Sequence, residues 1–182
     1  MAHLSQQSAV SLQTMWSDEF WTFACHLYKQ PGMQAICLDF QDNYQGHVNG
    51  LLFAIWCDVT GHLVLSQQNL VQLTCILERS LAEDIAPIRQ ARLIYTDKSS
   101  AAYQTALTQE LAAEKRQQQA IIQWAIAQRA NTIINRFDNL LQTRLYVHQH
   151  MTIGIAQPNL KMHTHALIND IDSIIQRAMP SV

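Results

Sequence analysis

Charge is what this chain has least of. Asp, Glu, Lys and Arg make up 14% of its 182 residues, against about 25% in ordinary globular chains. Gln and Asn fill the gap, so the surface is polar rather than charged, and weak surface charge opposes self-association poorly. The net charge of −2 gives no general attraction to nucleic acid or to an anionic membrane surface. Strand signals are almost absent, and no repeat has a solenoid period. The cysteines, Cys25, Cys37, Cys57 and Cys75, include no C-x-x-C pair. The N-terminus lacks the basic and apolar regions of a secretory signal. Reduced thiols buried among apolar residues, in the cytoplasm, are therefore expected. The chain has no G-x-S-x-G, no Ser-His-Asp order and no glycine-rich phosphate loop. An enzyme thus has no motif behind it, and no cofactor is expected.

What is present is helical patterning. Residues 47–58, HVNGLLFAIWCD, are apolar on every side. A helix of that kind must be surrounded, and the run is far shorter than the roughly 20 residues that cross a bilayer, so its surroundings are protein. This predicts a central helix over 48–60, with Asn49 capping its start and Gly61 ending it. Upstream, residues 1–14 lack periodicity and read as a flexible tail. Ser17, Asp18 and Glu19 mark a helix start, and Phe20, Phe23, Ala24, Leu27 and Tyr28 form its apolar face. Pro31-Gly32 ends it and opens a second helix over 32–43. Ser66 caps a fourth, with Leu70, Leu73, Leu77 and Leu81 inward, and Pro87 predicts a kink or break before a further helical stretch to Tyr95.

The second half differs. Residues 101–147 contain no Gly or Pro, and Leu107, Leu111, Ile122, Ile126, Ile133, Phe137, Leu140 and Leu145 recur at three–four spacing. This predicts one long helix, or a helical hairpin broken at the polar run 114–119. The spacing resembles that of a coiled coil but is not strict. Residues 148–160 read as a loop, and 160–178 as a last helix with Leu167, Ile171, Ile174 and Ile175 inward. The expected fold is all-α, a bundle of about six or seven helices. Its parts are a tail (1–14), a helical core (15–97), a long helix or hairpin (98–147), and a loop plus a C-terminal helix packing back (148–182).

The first hundred residues resemble a family of uncharacterised helical proteins of Gram-negative bacteria with the pattern F-W-x-F-A…Y…P-G-V…C-L-x-L-Q-D…V-N-x-L-L-F…W. The matching pieces are Phe20-Trp21-Thr22-Phe23-Ala24, Tyr28, Pro31-Gly32-Met33, Cys37-Leu38, Gln41-Asp42, Val48-Asn49, Leu51-Leu52-Phe53 and Trp56. Pro87-Ile88-Arg89 with Arg92 resembles the family's later P-L-R…R element. His47 stands where the family often has Asp, and Phe40 where it often has Leu. Beyond about residue 120 the likeness fades. The resemblance implies a small cytoplasmic helical protein and brings no activity, cofactor or catalytic residue with it.

Four constellations remain to be placed. Trp21, Cys25, Cys37 and Trp56, with Asp42, His47 and Asn49 at the turn before the central helix, suit a ligand pocket or a carboxylate–histidine acid–base pair. Core packing and turn chemistry explain the same residues. His148-x-His150 and His163-x-His165 suit a transition metal only on extended backbone, where i and i+2 share a face. Arg79, Arg89 and Arg92 suit an anion patch, but Glu78, Glu83 and Asp84 are interleaved and favour ion pairing. Glu110 and Glu114 read as local partners of Lys115-Arg116. Finally, Ile122, Ile126, Arg129, Ile133 and Phe137 form a stripe that needs something to lie against. The reading favoured is a non-enzymatic helical interaction protein that presents this stripe to itself or to a protein partner, with no membrane or nucleic-acid role. Small-molecule binding or catalysis near Trp56, and metal binding by the paired histidines, are the alternatives.

Overall fold

The stretch that is apolar on all sides folds as a helix, and five other helices pack around it. The computed structural model describes the backbone of residues 2–129, 141–154 and 160–178, and the side chains of 11–129, 142–148 and 165–178. Among these residues the fold is all-α, with α1 (Ala2–Tyr28), α2 (Met33–Tyr44), α3 (Val48–Thr60), α4 (Gln67–Ser80), a π-helical turn (Leu81–Ile85), α5 (Ala86–Leu93), α6 (Ala101–Arg129), α7 (Leu141–Gly154) and α8 (Leu160–Ala178). Helix α3 is touched by α1, α2, α4, α6 and α7, and every residue from Gly50 to Cys57 is buried. Trp16, Phe20, Phe53 and Trp56 interlock at its centre, with ring centroids 5.5–5.7 Å apart, a spacing at which aromatic pairs attract.

Several local expectations hold. Gly61 ends α3 in the left-handed conformation at φ 67°. Ser66 caps α4 through a reciprocal exchange with Asn69, and Leu70, Leu73 and Leu77 point inward. Pro87 sits in the first turn of α5, directly after the π-helical turn. There its missing N–H costs nothing and the ladder is already displaced. Leu167, Ile168, Ile171, Ile174 and Ile175 are buried in α8, which packs on α7 and α2.

Other expectations are corrected. The helix expected from Ser17 begins at Ala2, so most of the segment set aside as a tail is helical, and Leu12 packs against the core. Asn49 does not cap α3. His47 occupies the cap position without a side-chain bond, and the Asn49 amide turns inward to α6. Of the two forms expected for the second half, the break at 114–119 is not found: α6 runs through it, with Ala113, Gln117 and Gln118 on its buried side. Residues 148–154 are helical rather than looped. Cys75 is exposed, while Cys37 and Cys57 are buried and all four thiols are free.

One close approach sets the position of α7. A Cβ on Gly50 would stand 2.0 Å from the Tyr146 hydroxyl and 2.7 Å from Leu77, so α3 and α7 meet where only glycine fits. Tyr146, wholly buried, lies 6.0 Å from the Phe40 ring.

Candidate functional site

The region around Trp56 is a core with one polar seam. Trp56 Nε1 donates to Glu19 Oε1 at 3.2 Å, and His62 Nε2 lies 3.2 and 3.3 Å from the two oxygens of that carboxylate. The His62 ring stacks on Trp16 at 4.6 Å, and Arg129 lies 5.2 Å above the same indole. Glu19 also borders an open surface groove with Asp18, Thr22, Phe23 and His26. Neither Glu19 nor His62 belonged to the expected pocket. Both stand beside apolar neighbours in the sequence, and they are 43 residues apart.

The expected pocket residues range from the core to the surface. Trp56 and Cys37 are fully buried, and Trp21 and Cys25 are half-buried. Lys115 lies over the Trp21 ring at 5.2 Å. Burial raises the Cys37 thiol to about 12 and also lifts Cys57, so neither is a thiolate nucleophile at neutral pH. Asp42 is exposed and accepts from Gln41 at 3.3 Å. His47 is lowered by burial, against the pull of Glu78. Its carbonyl faces the Tyr146 hydroxyl at 3.5 Å. Asn49 donates to Gln117 at 2.7 Å and accepts from Gln118 at 2.8 Å, while Gln117 donates to the Leu77 carbonyl. Asn49 therefore ties α3 to α6 and, through Gln117, to α4.

The arginines are corrected more sharply. Arg89 Nε donates to Glu110 at 2.7 Å and its Nη2 to Glu114 at 3.2 Å. Arg92 Nε donates to the other Glu110 oxygen, and its Nη1 to the Tyr103 hydroxyl at 3.0 Å. Arg79 pairs separately with Glu83 on the surface. The three form no anion patch, since two are closed by α6 carboxylates. Glu110 is only 5% exposed. Burial alone would raise its pKa, but the bonds and charges of Arg92 and Arg89 outweigh it and hold the carboxyl below the usual glutamate range. Glu114, one turn on, is raised: burial dominates, Arg89 opposes it and the Glu110 charge adds to it.

The expected stripe is largely used within the chain. Ile122 is fully buried, and Ile126 packs against the core. Arg129 is the guanidinium above Trp16. Ile133 and Phe137 lie outside the described residues. His148 and His150 fall on α7, and His163 and His165 on α8. Helical backbone points i and i+2 apart, so the two positions of each pair do not share one face of their helix. The side chains of His150 and His163 lie outside the described residues. Among the described residues no group of three or more His, Cys, Asp or Glu is placed to hold a metal, and no helix is long and apolar enough to cross a membrane.

One surface feature was not singled out from the sequence. Leu93, Ile94 and Tyr95 are 67%, 77% and 42% exposed, three consecutive large apolar side chains where α5 ends. The α5–α6 pair is tied together just behind them by Arg89, Arg92, Glu110 and Tyr103. In the sequence these residues looked like the last turn of an ordinary helix.

A family described as a protein of unknown function (DUF2390) matches residues 19–121. That span contains α2 to α5 whole, most of α6, and the residues that carry the resemblance noted above. No curated protein and no solved structure matches the chain.

Proposed function

The chain belongs to that family of proteins of unknown function, and we propose that it is a non-enzymatic helical interaction protein whose contact surface is the α5–α6 hairpin tip. The observation that supports this is the run Leu93-Ile94-Tyr95. Single exposed apolar residues are ordinary, whereas contiguous ones mark contact sites. The tip is also pre-organised. The Arg–Glu brace fixes α5 on α6, so a partner meets a surface that is already ordered and association loses less entropy. Of the stripe over 122–137, Ile122 is buried and Ile126 packs against the core, so neither is as open to a partner as the run at 93–95.

A photo-crosslinking residue at position 94 of the full-length chain, activated in cells, tests the proposal. A discrete protein adduct is expected, and it should disappear when Leu93→Asp is added. The same probe at exposed Gln123 on α6 should give none. Absence of any adduct at position 94 would overturn the reading.

A second reading, small-molecule binding, has one observation in its favour. Glu19 joins His62 and Trp56 beside the groove of Asp18, Thr22, Phe23 and His26. A native mass spectrum of the untagged protein, kept reduced and free of chelator, decides it. Bare-chain mass or an integer multiple removes a tightly held ligand or metal. An added small mass removes the first reading's claim to be sufficient.

A further inference from the structure

The tip carries, next to its apolar run, one charge of each sign. Asp97 and Lys98 follow Tyr95 after one residue, and both are exposed. Asp97 Oδ1 accepts from the Ser99 amide at 2.8 Å and from the Ser99 hydroxyl at 2.6 Å, and the Ser100 amide donates to the Asp97 carbonyl. The Lys98 carbonyl accepts from Gln104 Nε2 at 2.7 Å. The turn is thus pinned at several points, while the Lys98 ammonium has no hydrogen bond or ion pair among the described residues. We propose that the partner of the hairpin tip is a second copy of this chain, joined tip to tip about a two-fold axis, with Asp97 of each copy against Lys98 of the other.

This rests on the reading of the tip as a contact surface and adds the identity of its partner. A two-fold contact is isologous: if one residue meets another across the axis, the reverse contact is made as well. A surface suits that arrangement when its charged groups come in adjacent opposite pairs around an apolar centre. Asp97-Lys98 beside Leu93-Ile94-Tyr95 has that composition. Flipping the patch onto itself places apolar on apolar and closes two ion pairs at the rim. A partner of uniform charge would leave one of the two unpaired. The rest of the molecule puts little in the way, since the net charge is −2 and long-range repulsion between copies is weak.

Sedimentation equilibrium of the full-length chain over a concentration series tests this. Lys98→Asp, at an exposed side chain, leaves the fold intact and turns two attractions into two repulsions. It should weaken dimerisation by about tenfold. The double variant Asp97→Lys/Lys98→Asp should regain the wild-type constant. If the double variant lowers the melting temperature, salt gives the answer instead: raising it must weaken the wild-type dimer and strengthen that of Lys98→Asp. Dimers abolished by Ile94→Asp but indifferent to Lys98→Asp and to salt would overturn the charge pairing and leave the tip standing as a contact surface. A strict monomer that still forms the position-94 adduct with another protein would overturn self-association alone. A strict monomer without adduct would overturn both.

Discussion

Glu110 and Glu114 sit one helical turn apart and face the same arginine, yet their pKa values move in opposite directions. Glu110 is held below the usual range by Arg92 and Arg89, so its contribution to stability is present above 4.5 and lost as pH falls through its folded value. Glu114 is raised by burial, so its contribution is complete below 4.5 and is lost as pH rises through its folded value. Urea unfolding across the pH range should separate them. Glu110→Gln is expected to cost about 1.5–3 kcal/mol at neutral pH, the worth of a hydrogen bond to a charged group. The loss should shrink in acid. Glu114→Gln, which keeps an acceptor for Arg89, should instead gain on the wild type as pH rises from 4.5. The same direction of drift for both variants would refute the assignment. Arg89 and Arg92 were legible in sequence as residues that would be neutralised. Their partners were not, because Glu110 and Glu114 lie 18 to 25 residues away and nearer acids and bases offered plausible local pairs.

At the scale of elements, side chains from one helix complete the end of another. Asp58, in the last turn of α3, accepts from the Gln142 and Thr143 amides at 2.9 and 2.8 Å and from the Thr143 hydroxyl at 2.7 Å. It supplies from a distance the acceptor that the first turn of a helix needs, and its negative charge suits the positive end of α7. Gln142 in turn accepts from the Leu65 amide at 2.7 Å. Asp58→Ala is expected to cost about 1–3 kcal/mol, the penalty of leaving buried donors unmet. Hydrogen exchange should locate the loss in α7 and α8 rather than in α4. Gly50→Ala tests the second fastening. Its methyl meets the Tyr146 ring, so it should destabilise by about 1–3 kcal/mol, and Tyr146→Phe, which removes the nearest atom, should recover part of that. Equal stability of Gly50→Ala and the wild type would refute the close packing of α3 and α7. Neither fastening was visible in the sequence. Asn49 looked like a cap because caps are local and common, whereas Asp58 acts across 84 and 85 residues.

For the whole molecule, self-association should appear in its thermal stability, because a dimer that forms only from folded chains stabilises the fold by mass action. The melting temperature of the wild type should rise with protein concentration, and that of Ile94→Asp should not. A wild-type melting temperature that stays constant over two decades of concentration would count against the dimer. The class of the fold was determined by the sequence alone: helical periodicity, the near absence of strand signals, and one segment apolar all round left an all-α bundle built on residues 48–60 as the answer. Helix ends governed by neighbours within four residues, at Gly61 and Ser66, were legible for the same reason. Tertiary structure decided everything that depends on a distant partner. It showed that Ile122 faces inward, that Asn49 spans two helices, that the arginines are closed by α6, and that Leu93, Ile94 and Tyr95 are left uncovered. Periodicity reports which side of a helix is apolar. Whether another part of the chain lies against that side is settled only when the helices are assembled.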